Sequence, residues 1–224
     1  PSLIYYKDII ISNTEKAIKR AGGAERLWPH VKSHKMKNMI KLQQSMGITK
    51  FKCATIAEAE MLVNCEAEDI LLAYPLIGPN IKRFISLQKL AVKSRLWAIG
   101  DNYNQLKALS DISEEEGIKT KVLIDANLGM NRTGVPLDEL GELYRKCYTL
   151  KGLELKGLHC YDGNHNDKDF NKRKNDVALS IDIINSIRAS LNKEGLNCSV
   201  LVMGGTPSFP CHAEYPSVFL SPGT

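Results

Sequence analysis

Residues 95–125 read RLWAIGDNYNQLKALSDISEEEGIKTKVLID, a stretch in which two short apolar runs enclose one helical segment. The apolar runs, 95–99 and 120–125, have the length and composition of strands that are buried on both faces. The segment between them, 102–116, has the length of a helical connection. Because parallel strands need a long crossover between them, this stretch predicts one strand–helix–strand unit of a parallel sheet.

The same alternation continues on both sides of this stretch. Further candidate strands lie at 2–6, 26–32, 50–54, 69–73, 153–160, 198–203 and 217–220. Further helical segments lie at 8–21, 36–46, 56–65, 79–92, 136–149 and 168–193. About eight strands in a chain of this length predict an α/β fold, a (β/α)8 TIM-type barrel, with an open doubly wound sheet as the alternative. In such a barrel the chemistry lies at the C-terminal ends of the strands.

The composition is that of an ordinary globular domain, with 43% hydrophobic and 25% charged residues. No run approaches the roughly 18 apolar residues that a membrane-spanning helix needs, and no signal peptide is visible. The net charge of +5 suits an anionic small molecule, while the basic residues are spread along the chain without a nucleic-acid-binding motif. We therefore expect a small-molecule partner, and neither nucleic acid nor a membrane.

The cysteines indicate a reducing compartment. The six cysteines form no C-x-x-C pair, and several lie inside apolar runs. This pattern predicts reduced, mostly buried thiols rather than disulfides. Such thiols are typical of cytoplasmic proteins, so we expect this chain in the cytoplasm.

The first candidate site follows the strand at 26–32. His30, Lys32, His34 and Lys35 crowd the exit of this strand. A lysine amine close to other cations has a lowered pKa and can act as a nucleophile that forms a Schiff base. Strand alternation does not choose between Lys32 and Lys35, and a solvated basic turn is the plain alternative.

Three other strand ends carry groups that suit an anionic ligand. Arg132 follows the strand at 120–125, where it would pair with an anion or a ring nitrogen, or else bind the backbone of its own loop. His159 and Tyr161 lie at the exit of the next strand, in a loop that also leads into a long helix. After the strand at 198–203, tandem glycines would let backbone N–H groups converge on a phosphate, unless they only form a tight turn.

Taken together, these segments resemble the family of D-threonine aldolase and D-serine dehydratase, whose barrel is similar to that of alanine racemase. The most specific match is PHVKSHK at 29–35. Further matches are ATIAEAE at 54–60, DILLAYP at 69–75, GMNRTGV at 129–135 and GGTP at 204–207. The likeness covers nearly the whole chain, and several phrases in the same order are far more specific than any one of them.

This resemblance implies pyridoxal 5′-phosphate as the cofactor, with Lys35 as the residue that carries it in a Schiff base. Arg132 would face the pyridine nitrogen, where an arginine, unlike an acid, does not protonate the ring. Gly205 and Thr206 would hold the phosphate, with Tyr161 nearby. The other residues expected to line the pocket are His30, Thr55 and His159.

The resemblance also implies a division of the chain. Residues 1–22 would form a leading strand and helix, the strand pairing with a β-rich C-terminal domain that is missing here, and 23–224 would form the barrel. Ser221 stands where the family usually has arginine. The C-terminal domain would carry the ligands of a divalent metal, beyond residue 224, and a second acid or base. The family further implies a homodimer whose subunits share their active sites.

The implied activity is that of a lyase on β-hydroxy D-amino acids. It would cleave the substrate to glycine and an aldehyde, as D-threonine aldolase does, or eliminate water and ammonia, as D-serine dehydratase does. An amino-acid racemase is the alternative enzyme class and would need two bases on opposite faces of the cofactor. A protein that binds pyridoxal phosphate for homeostasis, without catalysis, is the remaining alternative.

Overall fold

The structure, a computed structural model, describes residues 4–223 of the chain. Within these residues, seven strands form one parallel sheet whose spatial order follows the sequence. The strands are β1 (Lys50–Cys53), β2 (Asp69–Leu72), β3 (Arg95–Gly100), β4 (Thr120–Asp125), β5 (Leu153–Cys160), β6 (Val200–Met203) and β7 (Phe219–Leu220). Helices connect these parallel strands as crossovers, as the sequence alternation predicted.

Helices connect the strands and cover the outer face of the sheet. They are α1 (Lys7–Ala21), α2 (Lys37–Ser45), α3 (Ile56–Asn64), α4 (Pro79–Leu90), α5 (Tyr103–Glu115), α6 (Leu137–Tyr148), α7 (Phe170–Lys193) and α8 (Phe209–His212). Two short 3₁₀ turns lie at Ala24–Arg26 and Val31–Ser33. None of the helices within residues 4–223 is both long and apolar enough to cross a membrane.

The predicted strand at 26–32 is the main correction to the expected fold, because it does not form a regular strand. The backbone is extended at Leu27 and at His30, and each of these residues makes one isolated parallel bridge. Leu27 bridges Leu220 of β7, and His30 bridges Lys52 of β1. This segment therefore joins the last strand of the sheet to the first, in the place that a further barrel strand would occupy.

Proline explains why the ladder is so short there. Pro29 lies between the two bridging residues and has no N–H to donate to a neighbouring strand. Its carbonyl oxygen accepts the N–H of Lys52 at 2.9 Å, and the chain turns into a 3₁₀ helix immediately afterwards, at Val31. The described chain thus has seven regular strands instead of the expected eight.

The predicted strand at 2–6 is only partly covered, since residues 1–3 lie outside the described part. Residues 4–6 do not form a strand, and α1 begins at Lys7. The other predicted strands are confirmed, each with its ends displaced by no more than a few residues. The proposed pairing of the leading segment with a further β domain stays a prediction.

The core consists of two apolar layers separated by the sheet. The larger layer lies between the sheet and its helices, and it includes Phe51, Phe84 and Tyr144. The smaller layer fills the concave side, where Trp28 and Trp97 meet edge to face with ring centroids 5.7 Å apart. All six cysteines are buried and free, which confirms the expected state of the thiols.

Candidate active site at the carboxyl ends of the strands

Side chains on the concave face change from apolar to polar toward the carboxyl ends of the strands. On β4, Leu123 and Asp125 point to the same side because alternate residues share a face. Leu123 belongs to the smaller apolar layer, which we call the apolar plug; its buried members are Trp28, Leu71, Trp97, Ile99, Leu123 and Val202. Asp125 lies two residues closer to the C-terminal end of the strand and is also buried. The plug therefore forms a floor, and the polar groups above it form the candidate site.

A buried chain of three titratable groups crosses this site from β4 to β1. Asp125 Oδ1 accepts a hydrogen bond from His159 Nδ1 at 2.6 Å. On the other side of the ring, His159 Nε2 lies 3.4 Å from Lys52 Nζ. Because Asp125 fixes the proton of His159 on Nδ1, Nε2 is left to accept a hydrogen bond from the lysine.

Burial and neighbouring charge set the protonation of this chain. Burial, followed by the charge of Lys32, lowers the pKa of Lys52 to about 7. Burial is also the main reason why the pKa of His159 lies below its ordinary value, although Asp125 acts in the opposite direction. Lys52 therefore changes charge close to neutral pH, where an ordinary lysine stays fully charged.

Three cations surround the ring of Tyr161. Lys32 Nζ lies 5.9 Å from the ring centroid, Lys52 Nζ 5.7 Å, and the guanidinium carbon of Arg132 4.9 Å. They come from three separate parts of the chain: the 3₁₀ turn before α2, strand β1 and the loop after β4. We call these four residues the Tyr161 cluster.

His30 lies beside the Tyr161 cluster, and the positive charges of the cluster contribute to lowering its pKa. Burial, then the charges of Lys52 and Lys32, lower the pKa of His30 to about 2. A neutral imidazole fits its hydrogen bond, because His30 Nδ1 accepts the N–H of Lys32 at 3.2 Å. The site thus keeps a buried histidine uncharged where three cations converge.

The tandem-glycine turn after β6 is held by a second buried network. Asp162 Oδ1 accepts hydrogen bonds from Ser208 Oγ at 2.7 Å and from the N–H of Gly205 at 3.1 Å. Its other oxygen accepts from His212 Nε2 at 2.6 Å. Burial alone would raise the pKa of Asp162, but the neighbouring histidines His165 and His212 hold it well below its usual range.

This network changes the role that the sequence suggested for Gly205. Its N–H is already donated within the protein, so the residue shapes the turn instead of offering that N–H to a phosphate. A side chain would be a tight fit there, since a Cβ atom at Gly205 would lie 3.1 Å from the Tyr161 ring and the ring would have to shift by a few tenths of an ångström. Thr206 Oγ1 accepts the N–H of Gly223 at 3.1 Å, which ties this turn to the segment after β7.

Most of the sequence-predicted site residues meet in this region. Those that lie in or beside the Tyr161 cluster and the glycine turn are His30, Arg132, His159, Tyr161, Gly205 and Thr206. They come from separate strand ends, and the parallel sheet brings those ends to one edge.

Lys35 and Thr55 lie elsewhere: Lys35 precedes α2 and contacts α3, and Thr55 is the N-cap of α3. Lys35 Nζ is 3.8 Å from Glu58 Oε1, and its side chain is 63% exposed. Thr55 caps α3, its side chain accepting the N–H of Glu58. Of the two lysines between which strand alternation could not choose, the structure places Lys32 in the Tyr161 cluster and Lys35 against Glu58.

Sequence reasoning did not select Lys52, Asp125, or the network of Asp162, Ser208 and His212. Lys52 had a visible signal, because it lies between the apolar residues Phe51 and Cys53 in the predicted strand 50–54. A lysine inside such a strand must either face solvent or be buried for a reason. The Asp162 network had no comparable signal, because its members are separated by about fifty positions.

The fold and the polar strand ends together define a parallel α/β domain of the alanine racemase type. The model of the family "Alanine racemase, N-terminal domain" matches residues 7–224, and the chain belongs to this family. A curated relative, the D-threonine aldolase of Arthrobacter sp, is 27% identical over 184 residues, which is 81% of this chain and 48% of that protein. The chain therefore spans about half the length of the curated relative.

Solved structures agree with this assignment. The D-threonine aldolase from Filomicrobium marinum superposes with a TM-score of 0.81 at 28% identity, over 96% of this chain and 57% of that one. The D-threo-3-hydroxyaspartate dehydratase from Delftia sp. HT23 gives 0.78 at 22% identity, over 96% and 56%. Alanine racemase from Clostridium difficile 630 gives 0.73 at 12% identity, over 95% and 58%; these last two similarities concern the fold alone.

Between residues 4 and 223, no three His, Cys, Asp or Glu side chains are arranged to hold a metal ion. The divalent metal implied by the sequence resemblance, with ligands beyond residue 224, therefore stays a prediction.

Proposed function

We propose that this chain is the cofactor-binding barrel of a pyridoxal-phosphate-dependent lyase that acts on β-hydroxy D-amino acids. The observation that carries the proposal is the imbalance of charge at the carboxyl ends of the strands. Lys32, Lys52 and Arg132 converge there, while Asp125 is committed to His159. Of the three cations, Lys52 is buried, whereas Lys32 and Arg132 are exposed. Cations that converge without paired acids favour an anionic ligand, and this cofactor carries a phosphate.

The residues present fit this cofactor. Lys32 supplies an amine beside other cations, the environment in which a lysine is activated as a nucleophile. Arg132 supplies a permanent cation for the ring nitrogen, and the turn that contains Thr206 lies next to Tyr161, on the side proposed for the phosphate. When bound, pyridoxal phosphate supplies an aldehyde that joins to amines and a ring that withdraws electrons from the bond to be broken.

The proposal departs from the sequence resemblance in one residue. The resemblance assigned the attachment to Lys35, whereas the geometry supports Lys32, because Lys32 reaches the Tyr161 cluster and Lys35 pairs with Glu58. We therefore propose Lys32 as the attachment residue and keep Lys35 as the alternative.

The remaining residues would position and protect this chemistry. Asp125 holds the ring of His159 in one orientation and one tautomer, and His159 in turn orients Lys52. The Asp162 network holds the glycine turn at a fixed distance from Tyr161. The apolar plug around Trp28 closes the site from below and excludes water from that side.

The named relatives support the substrate class. One cleaves D-threonine and the other dehydrates D-threo-3-hydroxyaspartate, as their names state. Both substrates are D-amino acids with a β-hydroxyl group. We propose the same class for this protein, with the divalent metal and the second acid or base supplied outside the described residues.

We also propose the assembly and location that the resemblance implies. The whole protein would be a cytoplasmic homodimer with shared active sites. Its partner in function would be a small D-amino acid, with neither nucleic acid nor a membrane involved.

Covalent trapping tests the cofactor and its anchor. The whole protein is reduced with borohydride, digested, and the modified peptide is located by mass spectrometry. A pyridoxyl group on Lys32 supports the proposal as stated, and one on Lys35 supports the cofactor while correcting the anchor. A colourless protein without a modified lysine at either position rules out the proposed function.

Product analysis then tests the reaction. With D-threonine, glycine and acetaldehyde indicate an aldolase; with D-serine, pyruvate and ammonia indicate a dehydratase. Each assay is run with and without a chelator, which reports whether a metal takes part. Interconversion of D- and L-alanine with no cleavage of either hydroxy amino acid would instead establish the racemase alternative.

A further inference from the structure

We propose that Lys52 is the buried cation of this site, and that it takes up a proton when a phosphate-bearing ligand binds at the Tyr161 cluster. The inference rests on the proposed function, since it takes the ligand to be the phosphorylated cofactor. It deepens that function in two ways. It assigns Lys52 to the anion site, and it couples ligand binding to the protonation of this residue.

The placement of Lys52 carries the first step. The residue is 3% exposed, and its amine has a hydrogen bond with His159 Nε2 at 3.4 Å. Among residues 4–223, no carboxylate lies within ion-pair distance of it. A buried ammonium ion without a counter-ion is costly, so the neutral amine is favoured while no anion is present.

The surroundings of Lys52 point the same way. The charged and titratable groups that face it from the packed elements are His30 and Lys32 before α2, Asp125 on β4, Arg132 after β4, His159 on β5, and Tyr161 and Asp162 after β5. Asp125 and Asp162 oppose the loss of the proton, but each already accepts hydrogen bonds from a histidine. Burial and Lys32 outweigh them and lower the pKa of Lys52 to about 7.

Ligand binding reverses this balance. A phosphate group close to the Tyr161 cluster places negative charge near Lys52, and an opposite charge favours the protonated amine. At pH 8 the amine is mostly neutral before binding and mostly charged afterwards. The protein should therefore take up most of one proton from solution as the ligand binds.

Calorimetry with a cofactor analogue measures this proton. The whole protein, freed of cofactor, is titrated at pH 8 with 4-deoxypyridoxine 5′-phosphate, which has the phosphate and the ring but no aldehyde. The titration is run in two buffers that differ in their ionisation enthalpy, and the difference gives the number of protons taken up. Because the analogue forms no covalent bond, the chemistry of the attachment lysine does not enter the count.

Substitutions assign the proton. Lys52→Met should remove most of the uptake and weaken binding by about tenfold or more, the loss of a charge-assisted contact. Lys52→Arg keeps a permanent charge, so binding should persist with the uptake lost. The matched control is Lys121→Met, since Lys121 lies over the ring of Trp97, a member of the apolar plug, and should leave both quantities unchanged.

The outcomes separate this inference from the proposed function. Equal proton uptake by the parent protein and both Lys52 variants would overturn it, and the proton would then belong to another group such as His159. If the parent protein neither binds the analogue nor shows a trapped lysine, the proposed function itself fails. A protein that traps the cofactor but takes up no proton would retain the function and lose only the role of Lys52.

Discussion

The two ends of the concave side of the sheet carry charge in opposite ways. At the N-terminal end, Asp69 accepts hydrogen bonds from Arg95 Nε and Trp97 Nε1, both at 2.8 Å. At the C-terminal end, the cations of the Tyr161 cluster exceed the acids that are free to pair with them. We call the first the balanced end, because its buried acid is paired, and the second the unbalanced end, where we propose that an anion completes the site.

The pKa values follow the same division. Burial alone would raise the pKa of Asp69, but its hydrogen bonds with Arg95 and Trp97 hold it below the usual value, so it stays ionised. At the other end, burial, followed by the charge of Lys32, lowers the pKa of Lys52 to about 7. Asp69 therefore stays charged near neutral pH, whereas Lys52 changes its charge there.

The largest effect is expected from substitution of Lys32, the proposed attachment residue at the unbalanced end. Lys32→Ala should abolish covalent attachment and lower the rate of the lyase reaction by a factor on the order of 10³ or more, as removal of a covalent group does. Lys35→Ala should retain the visible absorption and most of the activity, because Lys35 pairs with Glu58, away from the Tyr161 cluster. Absorption spectra and initial rates of both variants measure the contrast. The reverse pattern would return the attachment to Lys35.

At the balanced end, the expected effect is on stability instead of binding. Asp69→Ala leaves the buried Trp97 N–H without an acceptor and should lower the free energy of unfolding by about 2–4 kcal/mol. Arg95 is half exposed and solvated, so the loss of its ion pair adds little. Urea denaturation measures the change. Cofactor affinity of the folded variant should equal that of the parent protein, and a large drop in affinity would blur the distinction between the ends.

Removal of a cation should have opposite effects on the two properties at the unbalanced end. Arg132→Met should weaken binding of the cofactor by roughly tenfold, because one charge-assisted contact is lost. The same substitution should leave the ligand-free protein as stable as before or slightly more stable, because repulsion among the cations is relieved. Spectroscopic titration and thermal unfolding without cofactor measure the pair of effects. A clear loss of ligand-free stability would show that Arg132 is structural.

The smallest effect is expected when the pH is lowered, and it concerns the contribution of Asp69 to stability. Because the pKa of Asp69 is lower in the folded protein than in the unfolded chain, its stabilising contribution is present above the unfolded-state value and is lost as pH falls through the folded-state value. The stability difference between the parent protein and Asp69→Asn should therefore shrink by on the order of 1 kcal/mol as the pH is lowered from 6 toward 3. Urea midpoints at several pH values measure it. A difference independent of pH would mean that the carboxylate charge is not what matters.

Much of the architecture was predictable from the chain alone. Local periodicity and apolar runs located the helices and most strands, since side-chain direction repeats every 3.6 residues in a helix and every two in a strand. The prediction failed at 26–32, where Pro29 interrupts the hydrogen-bond ladder although the apolar residues around it are those of a strand. A sequence pattern reports only which side chains favour a strand. The hydrogen-bond ladder between strands also needs a backbone N–H at each position, and proline lacks one.

The candidate site was predictable in kind but not in detail. His30, Arg132, His159 and Tyr161 were singled out because each lies at, or just after, the C-terminal end of a predicted strand, and the parallel sheet does bring them together. Lys52 was overlooked, because its partner His159 is 107 positions away along the chain and no local pattern relates the two.

The order of strands and helices, the family and the set of polar strand ends are properties of the chain itself, because they depend on local propensity and on short motifs. Which lysine reaches the cluster, and whether Gly205 has an N–H to offer, depended on the folded sheet. The reason is that electrostatic and hydrogen-bond partners are chosen by distance in space. Lys32 and Lys35 are three positions apart and chemically identical, yet one lies beside Tyr161 and the other beside Glu58.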